Sequence, residues 1–154
     1  MTPSSFVSTK IARLGARFFV PAAVLPVLFG ADAAAQSLAE ERARREVESL
    51  VADQTDYSGD VCGTSFSSAV VWNGVDAAGR VRAAVRACDA ALSAVETICR
   101  AGDDAAVADE MDAFECVLGG ADLDLSGGTL SYAVEPGDED YREVFDFLRD
   151  ELGL

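Results

Sequence analysis

Between Val81 and Cys99, apolar side chains return every three or four positions: Val81, Val85, Cys88, Leu92, Val95 and Cys99 share one stripe. That period is one face of an α-helix. Gly102 supplies a stop, so the pattern predicts a helix from Asp76 or Ala77 to Ala101. Upstream, Ala39, Ala43, Val47 and Leu50 repeat with the same spacing. The "SLAE" in front of them reads as a capping box, with Ser37 as N-cap and Glu40 reaching back. Glu40–Arg44 and Glu41–Arg45 are i,i+4 pairs in the favourable order. The polar "DQTDYSGD", Asp53 to Asp60, is expected to end this first helix. Asp103 is expected to cap a short helix that turns Val107 and Met111 inward. Tyr141, Val144, Phe145, Leu148 and Leu152 predict a last helix from about Asp138, flanked by Asp138–Arg142 and Arg142–Asp146 pairs.

Elsewhere the period is two. Phe66, Val70 and Trp72 would share one face of a strand closed by the Asn73–Gly74 turn, and Phe114, Cys116 and Leu118 alternate in a second. Leu123 and Leu125, then Leu130, Tyr132 and Val134, alternate on either side of "SGG". This predicts a hairpin with inward leucines and outward aspartates. The same stretch opens like a calcium loop, with Asp122, Asp124 and Ser126 at the first, third and fifth positions and Gly127 at the sixth. Its twelfth position is Ala133, where a bidentate glutamate belongs, so the hairpin explains more of the letters and calcium stays a minor candidate. The element order is α-β-α-α-β-β-β-α. The fold class expected is α+β, with a small, mostly antiparallel sheet of about four strands packed against helices.

The N-terminus changes the count of what folds. Lys10, Arg13 and Arg17 precede the apolar run Phe18 to Ala31, and Ala33–Ala35 offers an A-x-A cleavage site ahead of Gln36. The run is short for a membrane span, which needs about 20 apolar residues, and it contains Pro21 and Pro26. Residues 1–35 therefore read as a cleaved signal peptide, and 36–154 as one secreted domain without a membrane span. The mature part keeps 9 arginines against 26 acids, a formal net of −17, with no lysine and no histidine. Such a surface repels nucleic acid and anionic membranes and suits a basic partner.

All four cysteines, Cys62, Cys88, Cys99 and Cys116, lie in the mature part, with 25, 10 and 16 residues between them. That spacing lacks a zinc knuckle, and an even count behind a signal peptide reads as two disulfides. Cys88 and Cys99 stand eleven residues apart on one helix, about 16 Å along its axis. They cannot bond if the helix is continuous, because a disulfide needs Cα atoms within about 7 Å. Two pairings remain, Cys62–Cys88 with Cys99–Cys116, or Cys62–Cys99 with Cys88–Cys116. Joining each helix cysteine to its nearest outside neighbour in sequence favours the first.

Catalytic chemistry finds little footing. Without histidine no Ser-His-Asp or Cys-His arrangement exists, and without lysine there is no Schiff base or phosphate-loop lysine. No catalytic residue and no cofactor is assigned. Arg80, Arg82 and Arg86 gather near the start of the long helix as a possible anion contact, although Asp76–Arg80 and Arg86–Asp89 pairing would absorb them. Tyr57 is the aromatic that no periodic face accounts for. The function expected is a small, acidic, disulfide-stabilised, non-enzymatic binding module of the bacterial cell envelope, periplasmic or secreted. Its partner would be a protein or envelope component, and the acidic surface favours a basic one. The alternatives are a small carboxylate-dependent extracytoplasmic enzyme or a calcium-responsive acidic protein.

Overall fold

The computed structural model describes residues 29–154, with side chains from Ala35 onward. The basic n-region and most of the apolar run of the expected signal peptide lie outside the described residues. Helix α1 (Phe29–Cys62) spans 34 residues and does not stop at Asp53. The polar stretch expected to break it is instead absorbed by one bond within the helix and two to α2. Thr55 Oγ1 donates to the Val51 carbonyl at 2.8 Å. Gln54 Nε2 and Ser58 Oγ donate to Glu96 Oε1 at 3.0 and 2.9 Å. Local turn chemistry loses to these contacts, as propensity often does against packing. Ser37 consequently lies inside the helix rather than at its cap. The Glu40–Arg44 and Glu41–Arg45 pairs do form, at 2.8 and 2.9 Å.

Strand β1 (Ser67–Trp72) is followed by α2 (Val81–Ile98), a π-helical turn (Cys99–Asp103) and α3 (Asp104–Glu110). Strands β2 (Ala113–Leu118), β3 (Asp122–Ser126) and β4 (Thr129–Val134) lead to α4 (Tyr141–Glu151). This is the expected order of elements. Helix α2 starts later than its stripe suggests, because Gly79 holds a positive φ of 77° just ahead of it. Gly102, at φ 103°, separates α2 from α3. Asp140 caps α4 by accepting the N–H groups of Arg142 and Glu143.

The sheet order is β1-β2-β4-β3. β1–β2 and β2–β4 are parallel, and β3–β4 alone is antiparallel. The expectation of a mostly antiparallel sheet is therefore overturned, while the β3–β4 hairpin stands. The α2–α3 crossover brings the chain back to the end where β1 began, as a parallel pair requires. The chain then lays β3 two strand spacings outward from β2, and β4 returns to fill the space between them.

Helices α1 and α2 run side by side in the same direction. Glu40 meets Ala77 and Ala78 at one end, and Gln54 and Ser58 meet Glu96 further along. Cys62 bonds Cys99 at the far end, with Cα atoms 5.1 Å apart. Cys88 bonds Cys116 of the central strand β2, Cα to Cα 5.6 Å. The exclusion of Cys88–Cys99 holds, but the nearest-neighbour pairing does not. Because α1 continues to Cys62, that residue reaches the end of α2 and passes Cys88 by about three turns.

The core lies between these helices and one face of the sheet. Val47, Val51, Leu92, Val95, Phe114, Leu118 and Leu130 are all sealed from solvent. Several surface pairings differ from expectation. Arg86 approaches Glu139 at 3.9 Å instead of Asp89. Among the described residues, Asp76–Arg80, Asp138–Arg142 and Arg142–Asp146 do not form.

Candidate functional site

Alternation along four strands gives the sheet two unlike faces. The first carries Phe114, Cys116, Leu118, Leu130, Tyr132 and Val134, all buried under the helices, with the Cys88–Cys116 bond anchoring α2 there. The second face is covered by no described helix. Its register sets three rows across the sheet. One row is Ser67, Ala113, Thr129 and Ser126; the next is Ala69, Glu115, Ser131 and Asp124; the third is Val71, Val117, Ala133 and Asp122.

The open face is flat, because nearly every side chain on it is small or β-branched. From β1 to β3 it spans about 14 Å, three strand spacings. Parallel strands are normally covered on both sides by helices, so a face across β1, β2 and β4 that no described residue covers is a departure from the usual arrangement. Its charge is one-signed. Glu115, Asp124 and Asp122 lie on it, and no basic residue does. Ser131 Oγ donates to Glu115 Oε1 at 3.4 Å, while Ser126 donates to Asp124 on the edge strand. Apart from this face, a recess of about 440 Å³ opens at the β3 end of the sheet, between the strands and α4, with walls that include Leu123, Tyr132, Glu135, Glu143 and Phe147. The Tyr132 phenol oxygen accepts the Asp140 N–H at 3.3 Å, and burial pushes this phenol up, with the surrounding acids adding to the shift.

The calcium candidates sit on this face or beside it. Asp122, Asp124 and Ser126 occupy alternate positions of an extended strand, and the Ser126 hydroxyl is spent on the Asp124 carboxylate, so the three do not form a loop closed around a cation. Among the described residues no group of three or more His, Cys, Asp or Glu side chains is placed to hold a metal ion. The three arginines are not gathered either. Arg82 and Arg86 flank a groove of about 400 Å³ floored by Leu50, Val81 and Val85, and Arg80 precedes the helix outside that groove.

Two polar clusters escape a reading of the sequence, because each joins distant segments. In the first, Glu96 is 4% exposed between α1 and α2 and is fully partnered. Gln54 and Ser58 reach one of its oxygens, and Arg100 reaches the other at 2.8 Å. Arg100 also donates to the Tyr57 hydroxyl at 3.1 Å, which gives that aromatic its place. Burial and then the nearby Glu96 push the Asp89 carboxyl up. In the second, Glu40 accepts the N–H groups of Ala77 and Ala78 at 3.0 and 2.9 Å. Its carboxyl falls to about 2, through hydrogen bonding with the Asp76 carboxyl, the Ala77 N–H and Arg44. Both clusters are saturated and join helix to helix or helix to loop, so they are structural.

Among the described residues no helix is long and apolar enough to cross a membrane. Comparison with known protein families, with characterised proteins and with solved structures found no match to this chain.

Proposed function

We propose that this protein is a non-enzymatic binding module of an extracytoplasmic compartment, periplasmic or secreted, and that the open sheet face takes a basic partner. The observation that carries this reading is the flat, acidic, uncovered face over three parallel strands. A carboxylate enzyme would want a buried cleft in which two acids face each other. Here Glu115 and Asp124 lie in one row with Ser131 between them, on an open surface. The signal-like N-terminus and the two disulfides support the compartment, since disulfides persist where the surroundings are oxidising.

The test uses the protein as secreted and a variant carrying Glu115→Gln, Asp122→Asn and Asp124→Asn. Both are immobilised and exposed to extract of the native envelope. The wild type is expected to retain basic components that moderate salt releases, and the neutral variant to lose them with its thermal midpoint unchanged. Retention of the same components by both proteins would contradict the reading.

A further inference from the structure

The two edges of the sheet differ in how they are protected. β3 presents Asp122 and Asp124, charges of the kind that discourage another strand from pairing. β1 runs six residues, Ser-Ser-Ala-Val-Val-Trp, with no charge and no proline. Its odd-numbered residues turn their N–H groups toward β2. Ser67 N–H donates to the Asp112 carbonyl at 2.9 Å, and past the strand Asn73 N–H donates to the Leu118 carbonyl at 2.8 Å. The N–H and C=O groups of Ser68, Val70 and Trp72 therefore point outward, and no described residue bonds to them from that side. An uncharged edge of this length is a template for strand addition.

We infer that the outer edge of β1 accepts an extended segment of a basic partner as a fifth strand of the sheet. This deepens the proposed function and rests on it for the sign of the partner. The open-face rows argue for the occupant. Ala69 lies beside Glu115 in its row, and Val71 beside Val117. A strand added outside β1 stands two strand spacings from Glu115, about 10 Å. Only the Ala69 methyl lies between, so an arginine or lysine opposite Ala69 can cross it to the carboxylate. Two residues along, opposite Val71, the row is apolar and favours an apolar side chain. A second copy of β1 fits poorly. It has no basic residue to offer Glu115, and it brings with it a domain whose residues 36–154 carry a formal net of −17.

The probe is a library of random twelve-residue peptides selected against the full chain, with binding of individual peptides read by fluorescence anisotropy. Selected peptides are expected to place Lys or Arg two residues from an apolar residue. Methylating alternate backbone nitrogens of such a peptide should weaken binding at least tenfold. Val70→Pro removes one outward N–H and leaves the β1–β2 ladder intact, and should also weaken binding at least tenfold. Ser68→Pro, at an exposed position, repeats this test should Val70→Pro fold poorly. Glu115→Gln should reduce affinity about three- to tenfold and flatten its salt dependence. Unchanged binding by both proline variants would overturn strand addition; if Glu115→Gln still weakens it, the acidic-face reading survives. Loss of neither would overturn both. A dimer in sedimentation that Val70→Pro dissociates would identify a second copy as the occupant and overturn the basic partner.

Discussion

At the scale of single residues, two positions carry sharp consequences. Gly119 has a φ of 106°, and a Cβ built there would lie 2.1 Å from the Asn73 carbonyl oxygen. It closes the ends of β1, β2 and β4 together, since Gly119 N–H donates to Val134 and its carbonyl accepts from Asn73 Nδ2. Gly119→Ala is expected to cost on the order of 3 kcal/mol in denaturant unfolding. Gly127 has φ 56° and open space around it, so Gly127→Ala should cost only about 1 kcal/mol. Equal losses at the two sites would mean that the strand ends do not approach as described. Trp72 offers the opposite case, because its buried indole N–H has no acceptor among the described residues. An orphaned buried donor costs roughly 1–3 kcal/mol. Trp72→Phe should therefore lose under about 1 kcal/mol, against about 3 kcal/mol for Trp72→Ala. A Phe variant as unstable as the Ala variant would show that the N–H is satisfied.

At the scale of elements, the regular periods were legible and the long-range partners were not. The stripe on α2 and the alternation of the β3–β4 hairpin both follow from local spacing, and both stand. Read locally, the polar run from Asp53 to Asp60 ends α1, because the partner that holds Gln54 and Ser58 in the helix, Glu96, lies some forty residues away and meets them only in the folded chain. Strand direction was misjudged for a similar reason: alternation tells which face a side chain occupies, but not which strand lies beside it. The open face was therefore half visible, as outward aspartates, while its rows needed the register. One prediction belongs to this level. Glu40 ties α1 to the loop before α2, and its folded pKa of about 2 lies below the ordinary 4.5. The stabilising contribution is thus complete above about pH 4.5 and is lost as the pH falls from there toward 2. Glu40→Gln should lower the thermal midpoint at pH 7, and the gap from wild type should close in that acid window. A gap that stays constant with pH would show that the ionised carboxylate is not what holds the loop.

At the scale of the whole molecule, two staples and one sheet face left open by the described residues define the design. Cys62–Cys99 fixes the far ends of the parallel helices, and Cys88–Cys116 fixes α2 to the central strand. Each closes a loop of about thirty to forty residues, worth roughly 3–4 kcal/mol in the chain-entropy account. Peptide mapping without reduction should recover both pairs, and a Cys62–Cys88 fragment would mean that α1 ends before it reaches Cys99. The helices are locked on one side of the sheet, and the proposed function assigns recognition to the other. The most direct measurement of that claim is a titration of the isotope-labelled protein with an oligolysine, followed through its backbone amide resonances. The account predicts shifts concentrated in 67–71, 113–117, 122–126 and 129–133, fading as salt rises. Shifts spread over the acidic flanks of α1 and α4, with the sheet unmoved, would contradict it.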